Sequence, residues 1–484
     1  MNSVAIIFSL LIPLIGSVVI LLLRKWPNLR DGSIFITSAS LFAIVLQLYF
    51  SLTAGNKPEL QLLEILPGLK VAFIIEPLGM VFALLASFLW IITTLYSIGY
   101  MRGHNEQNQT RFYFFFAIAI FSTIGIAFAA NMLTLFIFYE VLSLSTFPLV
   151  THSGTDEAKR AGRVYLGVLL GTSMGLQLIA IMWTWSLTGT LDFTEGGIIP
   201  SNTSTTIVFI LLALYVYGIG KAAVMPMHRW LPTAMVAPTP VSALLHAVAV
   251  VKAGVFTIIK VVVYIFGLET LTTKGVNELF IYLTALTILL SSLIAMTKDN
   301  LKARLAYSTI SQLSYIVLGA ILASRWSIIG SGMHIVTHAF GKITLFFSAG
   351  AIMVATHKTE ISQMRGLGKR MPFTMLAFLI GSLSIIGLPP TGGLWSKWFL
   401  ALGTLESGQA LMLGVLMFST LLNIAYLLPI PIRAFFAQDE STTTPGIQEA
   451  PLACLIAMAV TSTGCIVLFL FPDPLYQLLQ RLVL

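Results

Sequence analysis

Long apolar runs separated by short polar connections make up nearly the whole chain. A helix needs ~20 apolar residues to cross the hydrocarbon core of a bilayer. Such runs fall near residues 4–23, 33–53, 74–98, 112–130, 131–150, 164–187, 206–227, 240–266, 277–297, 304–323, 329–356, 373–402, 410–435 and 451–471. The pattern predicts an all-α membrane protein of about fourteen transmembrane helices. The stretch 112–150 is one unbroken run. It is divided at Ala129-Ala130-Asn131 because a single helix of ~39 residues would overrun the bilayer. The first run lacks a basic leader and a cleavage site and is long enough to span, so it reads as a retained helix. Segments 54–70 and 436–450 read as polar loops, and 188–205 as an external loop rich in turn formers.

Two of the runs are interrupted. The seventh reads GIGKAAVMPMHRWLP, with Pro226 after Lys221, and the twelfth reads GLPPTGGLWSKWF, with Pro389, Pro390, Gly392 and Gly393 before Lys397. Proline removes a backbone donor and clashes with the preceding turn. Broken backbone at membrane depth is tolerated only inside protein or beside a water-filled cavity, and paired interruptions point to a transport pathway. Span 7 is the fourth of spans 4–8 and span 12 the fourth of spans 9–13. This spacing predicts two inverted five-helix repeats, with helices 7 and 12 broken. A core at 112–435 would then lie between an N-terminal three-helix segment, 1–111, and a C-terminal helix and tail, 436–484. Proline kinks serving only packing are the plainer alternative.

Composition excludes a soluble protein: 57% of residues are hydrophobic and 10% charged. The net charge of +8 does not point to nucleic acid. Seventeen lysines and arginines lie in loops after odd-numbered spans, against five in the other loops and the tail. The positive-inside rule therefore puts the odd loops in the cytoplasm and both termini outside. Cys454 and Cys465 are ~16 Å apart along one helix, too far for a disulfide. No CxxC, haem motif, phosphate-binding glycine loop or nucleophile elbow is present, so no cofactor is expected.

Five basic residues remain inside the spans, and all are lysine: Lys221, Lys252, Lys260, Lys342 and Lys397. A charge at the bilayer centre costs ~2.5–3.5 kcal/mol even on insertion scales. Arginine would stay charged, whereas a lysine in a half-wet cavity can load and release a proton. Lys252 and Lys342 sit in mid-span, out of reach of either surface. Lys260 lies toward the end of its span, where it can equally snorkel. Glu140 is the one acid deep in a span, while Glu76 sits at the mouth of the third. An isolated carboxylate there needs a cation, and Lys221 is the expected partner. Such a pair would act as a switch, or serve only as a buried structural ion pair. His334, His338 and Lys342 are spaced i, i+4, i+8 and form one polar stripe. Two histidines at i, i+4 can hold a metal, but no third ligand is near in sequence, so the stripe reads as a proton relay rather than a metal site. His246 precedes Lys252 and reads as a relay or as a buried histidine with a hydrogen-bonding partner.

The runs FIFYEVLSLSTFPLV (136–150), YGIGKAAVMPMHRWLPTAMVAPTPVSALLHAVAVVKAGVF (217–256), HAFGKITLFF (338–347) and GLPPTGGLWSKW (387–398) resemble the antiporter-like subunits shared by Mrp-type sodium/proton antiporters, respiratory complex I and membrane-bound hydrogenases. The resemblance covers roughly residues 75–430 and implies fourteen helices with two inverted repeats. It makes Glu140 the fifth-helix carboxylate and Lys221 the broken-helix lysine that it modulates. Lys252 with His246 becomes the eighth-helix link, Lys342 with His338 the eleventh-helix link, and Lys397 the exit lysine of the twelfth. The chain stops after span 14, without the lateral helix of the largest members. The M-type subunit of complex I typically has glutamate where this chain has Lys397. The AVVKAGVF wording and the length look most like the D subunit of the Mrp antiporter. The resemblance thus implies a bacterial inner-membrane subunit that works with other subunits and exchanges protons for sodium or potassium. A pump subunit driven by quinone or ferredoxin chemistry in neighbouring subunits is the competing reading, and a structural anchor the third.

Overall fold

A computed structural model of the chain describes residues 2–437 and 446–482. Its first six helices are α1 (Asn2–Leu22), α2 (Pro27–Thr53), α3 (Pro77–Gly103), α4 (Gln109–Ala127), α5 (Met132–Val150) and α6 (Asp156–Thr188). Then come α7 (Thr205–Gly218), α8 (Val250–Lys260), α9 (Glu278–Thr297), α10 (Leu301–Ile321) and α11 (Arg325–Thr356). The last are α12 (Pro372–Ile386), α13 (Gly393–Glu406), α14 (Ala410–Leu427), α15 (Leu452–Leu470) and the short α16 (Asp473–Gln480). Among the described residues, ten helices are long and apolar enough to cross a membrane. An eleventh is gained if Val250–Phe266 and Leu268–Lys274, bent by 78°, count as one. The count falls short of fourteen for physical reasons. The breaks cut α7 to 14 residues and α12 to 15, and the 21-residue α10 carries Ser308, Thr309, Ser311, Gln312 and Ser314.

The division inside 112–150 follows from capping. Helix α4 ends at Ala127, and Asn131 caps α5 by accepting the Thr134 N–H through its side chain (2.8 Å). The connection is not free. Residues expected to be a polar loop form an antiparallel hairpin, β1 (Glu59–Leu66) and β2 (Leu69–Ile74), turning at Pro67-Gly68 with Gly68 at φ +79°. The hairpin lies against the α4–α5 connection. Ile74 N–H donates to Phe128 O (2.8 Å), Ala130 N–H to Ala72 O (3.0 Å) and Asn131 Nδ2 to Lys70 O (2.8 Å). The alternation in ELQLLEILPGLKVAFI is a strand signal that is too short to register as a span.

Charge and close packing fix the neighbouring helices. On α2, buried Asp31 pairs with Arg30 (2.7 Å) and with Arg102 of α3 (2.5 Å), so these charges lie inside a helix junction rather than in a loop. Tyr96 of α3 stacks on Phe347 of α11 at 3.9 Å and donates its hydroxyl to that residue's carbonyl (2.8 Å). Gly254 lets α8 lie directly on the backbone of Lys221 and Ala222, where any Cβ would collide. Gly393 does the same at the second break against the Ser384 carbonyl. Cys454 and Cys465 are free and buried.

Candidate proton-relay site

Helix α7 stops at Gly218, and Lys221 lies in a 3-10 turn just beyond it, Gly220–Ala222. That break turns the side chain onto α5. The Lys221 ammonium donates to Tyr139 O (2.8 Å) and to Ser143 Oγ (2.6 Å), and sits 3.1 Å from the centroid of the Tyr139 ring. Tyr139 also accepts the Lys221 backbone N–H at its hydroxyl (3.1 Å). The expected ion pair with Glu140 is not formed. Successive helical residues point ~100° apart, and Lys221 has engaged the Tyr139 side of α5. Glu140 is 8% exposed, and neither of its oxygens has a hydrogen-bond partner among the described residues.

Helix α8 carries Lys252 to α11, where its Nζ lies 2.6 Å from His338 Nδ1. One of the two nitrogens must accept, so a single proton is shared between them. His334, one turn back on α11, has both ring nitrogens engaged: Nδ1 with Ser396 Oγ (2.8 Å) and Nε2 with Gln312 Oε1 (3.1 Å). Those bonds leave no lone pair for a metal. The two histidine rings are 5.9 Å apart, and His334 stacks on Tyr315 of α10. His246 lies in a π-helical turn ahead of α8, and its side chain falls outside the described residues.

Lys342, on the same face of α11, donates to Leu305 O (3.2 Å) and Ser308 Oγ (2.7 Å) of α10. Lys397 lies one turn into α13, past the second break, and donates to Ile386 O (2.9 Å) and Thr420 Oγ1 (3.2 Å). Lys221, Lys252, Lys260 and Lys342 are fully buried, whereas Lys397 is half-buried. Lys221, Lys342 and Lys397 thus share one arrangement: each ammonium meets one backbone carbonyl and one hydroxyl. Neutral acceptors of this kind can hold the group whether or not it carries its last proton.

Lys260 is different. Rather than snorkelling, it forms an ion pair with Glu76, under the rings of Phe193 (4.2 Å) and Tyr264 (5.1 Å). Glu76 borders a cleft of about 450 Å³ that also takes in Lys57, Glu195 and Arg481. Sequence reasoning found both residues but not the pair, because they are far apart along the chain. It also missed Tyr139, Ser143, Ser308, Gln312 and Ser396. The hydroxyl-rich run STISQLS on α10 was the signal available for Ser308 and Gln312.

Comparison with known proteins identifies the family and the fold. Residues 129–423 match the family described as NADH:quinone oxidoreductase/Mrp antiporter, transmembrane region. Residues 68–113 match the complex I chain 5 N-terminus. The NADH-quinone oxidoreductase subunit N of Desulforudis audaxviator is 30% identical over 422 residues, covering 84% of this chain and 83% of that one. The chloroplastic NAD(P)H-quinone oxidoreductase subunit 5 of Brachypodium distachyon is 31% identical over 68% of this chain, which spans about half that relative's length (45%). In fold, the chain matches a subunit chain of the Mrp complex from Dietzia sp. with a TM-score of 0.87 at 20% identity, covering 99% of this chain and 96% of that one. It also matches a chain of an archaeal membrane-bound sulfane sulfur reductase, with a TM-score of 0.88 at 22% identity and the same coverage. The chain therefore belongs to the NADH:quinone oxidoreductase/Mrp antiporter family of transmembrane subunits.

Proposed function

We propose that this chain is the proton-translocating subunit of a multi-subunit monovalent cation/proton antiporter, of the Mrp D type, in a bacterial inner membrane. All fourteen segments read from the sequence would then cross the bilayer in two inverted repeats, with both termini outside. Protons would pass by way of Lys221, Lys252 with His246, His338 and His334, then Lys342 and Lys397. Sodium or potassium would move in the opposite direction through the assembled complex. The observation that carries the reading is the neutral shell around Lys221, Lys342 and Lys397. A buried lysine held by a carboxylate is costly to deprotonate, because an unpaired charge stays behind. One held by a carbonyl and a hydroxyl leaves no such charge. Glu140 would be the switch, favouring the protonated lysine when it approaches Lys221 and releasing the proton when it withdraws.

The test is cation-dependent proton flux in vesicles carrying the whole complex. Glu140→Ala and Lys221→Ala should each abolish exchange while the complex still assembles, and normal flux in either removes the switch. The second reading is a pump subunit in a redox-driven complex, and it has specific support from the 30% identity to a subunit named for NADH-quinone oxidoreductase. It predicts proton flux that follows electron transfer and ignores added sodium or potassium.

A further inference from the structure

At one end of the bundle, the tips of α1, α2, α3 and α4 border a cavity of about 830 Å³. Arg24, Lys25, Arg30, Arg102 and Arg111 all line it. Two acids oppose these charges. Asp31, buried outside the lining, holds Arg30 (2.7 Å) and Arg102 (2.5 Å). Glu106 lines the cavity and lies 3.9 Å from His104. Arg111 donates to His152 O (2.7 Å). Arg24 and Lys25 are exposed, and neither pairs with an acid among the described residues. The 19-residue α4 also begins at the cavity, and its cap residue Asn108 makes no side-chain bond to the first turn. The first N–H groups of a helix have no partner inside it and favour an anion. Leu21, Phe114 and Phe115 add an apolar wall. From there α1 carries an exposed apolar stripe, Leu22, Val18 and Ile15, at helical spacing.

We propose that this cavity binds the phosphate headgroup of an acidic phospholipid, with an acyl chain lying along the exposed stripe of α1. Basic pockets between transmembrane helices suit such headgroups. The positive-inside rule explains why lysines and arginines collect near helix ends, but it requires only their number on one side, not their convergence on one cavity. The volume falls within the ~300–1,000 Å³ of ligand sites. The apolar wall decides between two sources of phosphate. A free phosphate ion gains nothing from Leu21, Phe114 and Phe115, whereas a lipid phosphate sits where charge and hydrocarbon meet. Asp31 fixes Arg30 and Arg102 in place, while Arg24 and Lys25 keep their charge for the ligand. A headgroup held there touches all four helices and ties α1, α2 and α3 to α4. The proposal is independent of the proton-translocating reading, because none of the lysines within the spans takes part.

The test places the whole complex in phosphatidylcholine vesicles containing a small fraction of photoreactive phosphatidylglycerol, and maps the crosslinked peptides. Labelling should fall in segments 15–30 and 109–115. Unlabelled phosphatidylglycerol should compete it away, while inorganic phosphate at the same concentration should not. Arg24→Gln/Lys25→Gln removes two exposed charges that hold no acid in the protein. It should cut labelling of those segments about thirtyfold at subsaturating lipid, with labelling of the exposed Leu452 and Ile456 on α15 unchanged. Arg24→Lys keeps the charge and should keep most of the labelling. Equal labelling by a phosphatidylcholine analogue, full competition by inorganic phosphate, or full labelling of the double variant would each overturn the proposal. So would a wild-type complex unlabelled at these segments, and a carbodiimide crosslink from Lys25 to another subunit would then assign the cavity to an acidic protein partner.

Discussion

Replacing Lys260 with methionine tests the one buried lysine that, among the described residues, forms an ion pair with a carboxylate. Methionine keeps most of the length and the apolar stem, and removes the charge. Glu76, 8% exposed, would then be left as a buried carboxylate without its cation. Breaking a buried ion pair from one side costs ~3–5 kcal/mol. The loss of contact with the Phe193 ring at 4.2 Å adds ~0.5–2 kcal/mol. Glu76 also borders the 450 Å³ cleft and can take up water there, which places the total near the low end, ~3 kcal/mol. If the pair forms only after the folding transition state, unfolding accelerates about a hundredfold, since ~1.4 kcal/mol is a factor of ten. The assay is the half-life of the detergent-solubilised protein at fixed temperature, because large membrane proteins unfold irreversibly. The double variant Lys260→Met/Glu76→Gln removes both charges and should recover much of the loss, with a coupling of ~0.5–3 kcal/mol. A single variant as long-lived as the wild type would refute the reasoning, as would a double variant no better than the single.

Two further outcomes follow from local geometry. Gly254→Val should destabilise the chain by ~1–3 kcal/mol, read as a shortened thermal half-life, because the new side chain collides with the Lys221 backbone. Glu106, in the α3–α4 connection, has its carboxyl pKa raised by burial, against the opposing pull of His104 and Lys302. A carboxyl whose folded pKa lies above its unfolded value favours folding at low pH and loses that contribution as pH climbs through the shift. Glu106→Gln should therefore gain stability over the wild type as pH rises from acid to neutral, and pH-resolved thermal inactivation would show a flat difference if the burial argument is wrong.

The all-α membrane character was legible in the long apolar runs, though ten or eleven helices rather than fourteen are long and apolar enough to cross among the described residues, and the lysines were legible because a charge inside an apolar run is conspicuous. Lys252 is buried in α8, in the interior its mid-span position implied, and His334, His338 and Lys342 are buried on α11, where their i, i+4, i+8 spacing placed them. The partners were not legible. Lys221 was matched to Glu140 because complementary charge was the strongest rule on hand, yet the backbone break turned it onto a carbonyl, a serine and an aromatic face. Carbonyls carry no sequence signal, and single serines on apolar helices are common. The β1–β2 hairpin was lost for a different reason. Its apolar stretches are too short for a span, so a reading tuned to membranes passed over alternation that a reading tuned to strands would have registered.

The contrast between Lys260 and the other lysines carries the functional argument furthest. The residue type is the same, and four of the five are equally buried, yet only Lys260 among them meets a carboxylate. A full counter-charge locks the protonated form, because releasing the proton strands an anion in a low-dielectric interior. Lys221 is met by a carbonyl, a hydroxyl and a ring face, while the one nearby carboxylate, Glu140, has no hydrogen-bond partner among the described residues. A movable counter-charge beside a neutral shell is the arrangement in which a small carboxylate displacement changes the lysine's protonation by the most. Under the proposed function, chemistry that must cycle belongs at Lys221 and not at Lys260. On this reading, the chain uses one side chain for two purposes and separates them by what it places within 3 Å of the ammonium.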